Sequence, residues 1–135
     1  MNSEDAPLIL AVNHNRRNLD LLVQFLSQDG YRILAVTSLE EFDRALSAEQ
    51  RIEMAVVDIT GFDQSIWRHC DHMRRKQLPY LVLASRWEAA GIQHRGYDHG
   101  ARYVLAKPTT KKTLRLILNG CCRHRDEADS FNPGP

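Results

Sequence analysis

The sequence predicts an α/β domain with a doubly wound, five-stranded parallel sheet. Two observations lead there. Five short apolar runs alternate along the chain with stretches whose apolar residues recur at helical spacing. Such alternation implies crossover helices covering both faces of a parallel sheet. The chain has 135 residues, 43% hydrophobic and 26% charged, enough for one core in one domain.

The elements follow in order. Leu8–Val12 is apolar and bounded by Pro7 and Asn13, so it reads as a buried strand. Leu19, Leu22, Val23 and Leu26 mark a helix that Asp29-Gly30 stops. Tyr31–Val36 is a second strand, and Ser38 with Glu41 forms a capping-box signature before Leu39, Phe42, Ala45 and Leu46. Met54–Val57 is a third strand ending on Asp58. Ile66, Trp67, Cys70 and Met73 predict a helix that ends near Lys76. Pro79 precedes a fourth strand, "YLVLA".

The stretch from Glu88 to His99 reads as a short or mobile helix, because Gly91 and Gly96 each cost about 1 kcal/mol against alanine. Arg102–Ala106 is a fifth strand. Thr109 or Thr110 caps a last helix with Leu114, Ile117 and Leu118 inward. Residues 1–6 and 123–135, the latter reading "RHRDEADSFNPGP", are expected to be tails around a domain spanning residues 7–122.

A net charge of +1 gives no electrostatic case for nucleic-acid or membrane binding. No apolar run reaches membrane-spanning length, and the acidic start "MNSEDAP" is not a secretion signal, so a cytoplasmic protein is expected. Three cysteines, Cys70 and the adjacent Cys121 and Cys122, fit a reducing compartment.

In parallel α/β sheets the site lies at the carboxyl ends of the strands. Those ends carry Asn13-His14, Asp58, Ala84-Ser85 and Lys107-Pro108. With this order of elements, and with "AVVDITGFD" and "HGARYVLAKPTT", the chain resembles the receiver domains of two-component response regulators over roughly residues 7–122. The resemblance implies a flavodoxin-like receiver fold with strand order 2-1-3-4-5, an order the fold rule itself gives for a receiver-fold protein.

It also implies roles. Asp58 stands where the family accepts a phosphoryl group from a partner kinase, and Lys107 where a lysine pairs with that group. The family's Mg²⁺-holding acidic pair falls on Asn13 and His14. Its switch hydroxyl falls on Ala84, with Ser85 one residue later, and its switch aromatic on Val104, with Tyr103 one residue earlier. Strand side chains alternate faces, so each offset points the side chain the other way. The Lys107-Pro108 peptide is expected to be cis.

Three carboxylates and one lysine would give such a site a net charge of −2. Asp58 and Lys107 alone give zero, and imidazole is a poor ligand for a hard cation. Mg²⁺ binding is therefore expected to be weak or absent, and no cofactor or other metal is expected. Losing about 4 kcal/mol of charge neutralisation would slow phosphoryl transfer roughly a thousandfold.

The expectation is a non-enzymatic pseudo-receiver that signals through protein contacts with a histidine kinase, an output domain or another signalling protein. The alternative is a working phosphorelay receiver phosphorylated at Asp58. A third class, a flavodoxin-like cofactor binder, would need a hydroxyl- or glycine-rich loop after the first strand, and "NHNRRN" is neither. Lys111, Lys112 and Arg115 form a basic stripe that could meet a partner. His69 and His72 in "RHCDHMRRK" read as an exposed polar face. Trp87 reads either as a lid on the core or as an exposed anchor.

Overall fold

A computed structural model describes residues 6–130, with residues 123–130 described by their backbone alone. Ten elements alternate without exception: β1 (Leu8–Val12), α1 (Arg16–Gln28), β2 (Arg32–Val36), α2 (Leu39–Ser47), β3 (Met54–Asp58), α3 (Ile66–Arg75), β4 (Tyr80–Ala84), α4 (Ala89–Asp98), β5 (Tyr103–Ala106) and α5 (Lys111–Ser130). All four strand pairings are parallel, in the order β2-β1-β3-β4-β5. The sequence places strand starts within a residue of those found.

Burial follows from position in the sheet. Every residue of β1, β3 and β4 is buried, because these strands have a neighbour on each side and helices on each face. The edge strands β2 and β5 are only partly covered. Alternating side chains split the core in two. Leu10, Val12, Ala55, Val57, Val82 and Val104 pack with Phe42, Trp67 and Met73 on one face. Ile9, Met54, Val56, Leu81 and Leu83 pack with Phe25, Leu26, Leu114 and Leu118 on the other. Each buried Val, Leu, Ile, Phe or Met among them contributes about 1.5–3 kcal/mol.

Local signals act as read. Ser38 Oγ accepts the Glu41 N–H at 3.1 Å, and Glu41 reaches back to the Thr37 N–H at 2.9 Å. Gly30 ends α1 at φ +90°, a conformation that favours glycine. Thr110, not Thr109, caps α5, its Oγ1 accepting the Thr113 N–H at 3.1 Å.

Three expectations need correction. Gly96 is not a weakness in α4: a Cβ there would lie 2.5 Å from Val104 Cγ2, so glycine lets the helix sit directly on β5. His69 is buried rather than exposed. Its ring stacks on Phe42 at 5.0 Å and its Nδ1 lies 3.0 Å from the Ser65 carbonyl. Its Nε2 lies 2.9 Å from Asp43 Oδ1, within ion-contact range but out of hydrogen-bond alignment. The helical backbone also runs on to Ser130, where a tail was expected from residue 123; the first helix breaker, Pro133, comes only later. Residues 1–5 and 131–135 lie outside the described residues. Among the described residues, no helix is long and apolar enough to cross a membrane.

Candidate functional site

The ends of β1, β3 and β5 bring Asn13, Asp58 and Lys107 together. Asp58 closes β3 in register with Leu83 of β4, and its carboxylate is buried. Lys107 follows β5 directly, and its ammonium donates to both Asp58 oxygens, at 2.9 Å to Oδ2 and 3.2 Å to Oδ1. The Lys107-Pro108 peptide is cis. Lys107 Nζ also donates to Thr60 Oγ1 at 3.1 Å.

Two Asx turns complete the arrangement. The Thr60 N–H donates to Asp58 Oδ1 at 3.0 Å, and the Asn15 N–H donates to Asn13 Oδ1 at 2.8 Å. Asn13 therefore directs its oxygen at its own loop and its amide N–H₂ at Asp58 Oδ2, 3.4 Å away. The donors facing Asp58 are an ammonium, a backbone N–H and a side-chain amide. A buried carboxylate needs such donors in place of water.

His14 stands apart. Its exposed ring meets Phe62 edge-on at 5.6 Å and covers Gly61, where a Cβ would lie 3.0 Å from the imidazole. Among the described residues, no hydrogen bond or ion pair joins His14 to Asp58. This donor set fits Mg²⁺ poorly. It offers one carboxylate, already paired with a lysine, and an amide oxygen already held by backbone. Among the described residues, no group of three or more His, Cys, Asp or Glu side chains is arranged to hold a metal ion.

The positions to which the resemblance assigns the switch residues separate as strand alternation requires. Ala84 and Val104 are buried in the same half of the core, and Val104 fills the space opposite Gly96. Ser85 is half-buried beside the site, but its hydroxyl is engaged in a cap with Glu88: it donates to Oε1 at 2.9 Å and accepts the Glu88 N–H at 3.2 Å. Tyr103 points to the other face of β5, where with Leu116 and Cys121 it lines a separate groove. No bulge in β4 or β5 restores either residue to the register position that the resemblance assigns.

The basic stripe is partly engaged from within. Lys111 and Arg115 lie over the Phe25 ring, at 5.5 and 5.2 Å, and Arg115 pairs with Asp29 at 2.8 Å. Lys112 is exposed and makes no such contact among the described residues. Trp87 is 88% exposed, so it is not a lid on the core.

Sequence reasoning missed Thr60, although an Asp two residues before a Thr in a turn-forming "DITG" is the usual Asx-turn signal. It also missed the cleft beside the ion pair, which Leu21, Phe25, Arg86 and Trp87 help to line. No local pattern could have shown that these residues meet.

No protein-family model matches the sequence, and no curated protein does. Solved structures do match. A response regulator receiver domain from Clostridium thermocellum aligns with TM-score 0.78 at 18% identity, over 89% of this chain and 97% of that one. The non-phosphorylated HemR receiver domain from Leptospira biflexa aligns with TM-score 0.72 at 25% identity, over 85% and 93%. A Rhodopirellula baltica structure described as an adenylate cyclase aligns with TM-score 0.79 at 17% identity, over 93% of each chain. At these identities the likeness establishes the fold, the flavodoxin-like receiver fold, and the fold by itself does not fix a function.

Proposed function

We propose that the chain is a pseudo-receiver, a signalling module that works through protein contacts with little or no Mg²⁺-dependent phosphorylation. The observation that carries this reading is the closed state of the Asp58 carboxylate. Both of its oxygens accept from Lys107, and the position that resembles a metal-binding acid is Asn13, which presents N–H₂. Phosphoryl transfer needs a nucleophilic oxygen and neutralisation of the charge that develops on the phosphoryl group. Here the oxygens are held by donors, and among the described residues Lys107 is the one cation in contact with them.

The uncoupled switch positions support the same reading. Ala84 has no hydroxyl, and Val104 is packed against Gly96 with no aromatic to reorient. A ligand shifts an equilibrium only through differential contacts with its two states, and these positions supply none. A kinase, an output domain or another signalling protein would then meet a surface already formed. The exposed Lys112 and neighbouring basic residues suit an acidic partner face.

The alternative, a relay receiver phosphorylated at Asp58, is favoured by one observation: a lysine already within hydrogen-bond reach of the carboxylate. Incubating the protein with acetyl phosphate, with and without millimolar Mg²⁺, and measuring intact mass separates the two. The pseudo-receiver reading expects an unchanged mass in both conditions and no specific Mg²⁺ site by calorimetry. A phosphoryl adduct that appears with Mg²⁺ and is lost in Asp58→Asn overturns it.

A further inference from the structure

A cleft of about 720 Å³ opens beside the Asp58–Lys107 pair, between α1, the loop after β4 and the start of α5. That volume lies within the range typical of small-molecule sites. Its lining is mainly apolar. Phe25, Leu83 and Leu114 are buried, while Leu21 and Trp87 are 58% and 88% exposed. An apolar hollow flanked by large exposed hydrophobics departs from the ordinary polar surface of a monomer.

The charges lining the cleft are unbalanced. Arg86, Lys107 and Lys111 face one carboxylate, Asp58. Lys107 is taken by Asp58. Among the described residues, Arg86 has no ion pair or hydrogen bond, and the one contact of the Lys111 ammonium is the face of Phe25. Two cations therefore stand at an apolar hollow without counter-charges.

We infer that this cleft binds a small amphipathic anion, an aromatic carboxylate or sulfonate. Its apolar part packs on Phe25, Leu114 and Trp87, and its acidic group pairs with Arg86 and Lys111. Apolar area removed from water supplies the affinity, and the two cations select for negative charge. Occupancy does not require Asp58 to accept a phosphoryl group, so this inference and the signalling reading can fail separately.

The test is a fluorescence titration of the full chain with two dyes, anilinonaphthalenesulfonate and its sulfonate-free parent, phenylnaphthylamine. Saturable binding of the sulfonate is expected, about tenfold tighter than that of the parent; two partly exposed ion contacts of about threefold each give that ratio. Arg86→Ala and Lys111→Ala should each weaken the sulfonate about threefold and leave the parent unchanged. Leu21→Glu, at an exposed position, should abolish sulfonate binding without moving the thermal melting curve. Equal affinity for the two dyes overturns the inference, as does sulfonate binding undiminished in the Arg86→Ala/Lys111→Ala double variant. Failure of either dye to saturate, the result expected of a groove that takes a partner's helix, also overturns it.

Discussion

Replacing Lys107 with methionine keeps the side chain's apolar stem and removes its charge. Three donor contacts disappear: two to the Asp58 oxygens and one to Thr60 Oγ1. The Asp58 side chain is 5% exposed, so water does not readily replace the lost ammonium. Cutting one partner from a fully buried ion pair costs about 3–5 kcal/mol. Here the Lys107 side chain is 31% exposed, which opens one flank to solvent, and Asp58 keeps the Thr60 N–H and the Asn13 amide. The expected cost falls to about 2 kcal/mol, in the range of a hydrogen bond to a charged group. Asp58→Asn removes the buried charge instead and leaves a lysine that can hydrate, so about 1 kcal/mol or less is expected.

Once Asp58 is neutral, removing the lysine adds little, and the two changes should couple by about 1–2 kcal/mol. Urea denaturation of the wild type, both single variants and the double variant at neutral pH measures this directly. The coupling should persist at high salt, because screening acts weakly on a buried pair. A coupling below about 0.5 kcal/mol, or a Lys107→Met variant no less stable than Asp58→Asn, would refute the closed-carboxylate reasoning.

Four further outcomes are expected. Gly96→Ala should destabilise the protein by about 1–3 kcal/mol despite alanine's better helix propensity, because the new Cβ meets Val104 Cγ2; Val104→Ala should restore most of the loss in a thermal-melt comparison. Ser38→Ala should cost about 1 kcal/mol through the lost cap. The bonds from the Thr37 N–H and hydroxyl hold Glu41 below its ordinary value of 4.5, so its contribution is present above that value and lost as pH falls through the lowered one; Glu41→Gln should flatten acid unfolding in that window. Burial pushes the Cys70 thiol up to about 12, so alkylation followed by peptide mass analysis should leave Cys70 unmodified in the native protein and modify it in urea.

Much of this architecture is legible in the chain, because its signals are local. The alternation of apolar runs with helical periodicity, the Ser38–Glu41 box and the Gly30 stop each act within a few residues and report elements directly. The candidate pair was legible too. Rules for parallel sheets send strand ends to one edge, and Asp58 and Lys107 meet there at 2.9 Å. Departures from the resemblance were also readable by residue type at positions 13, 14, 84 and 104.

Tertiary structure alone decided how those residues behave. Asn13 could have turned its oxygen or its nitrogen to Asp58; the demand of the Asn15 N–H settled it. His69 looked like part of a polar face until α2 packed across it, and Gly96 looked like a flaw until β5 came within van der Waals range. The cleft beside the ion pair joins residues from four stretches far apart in the sequence, within 13–25, at 58, within 83–87 and within 107–114, and no local pattern says that they meet. Propensity and capping depend on neighbours along the chain. Burial, donor choice and concave surface depend on which elements pack together, and that pairing is set by the whole sheet.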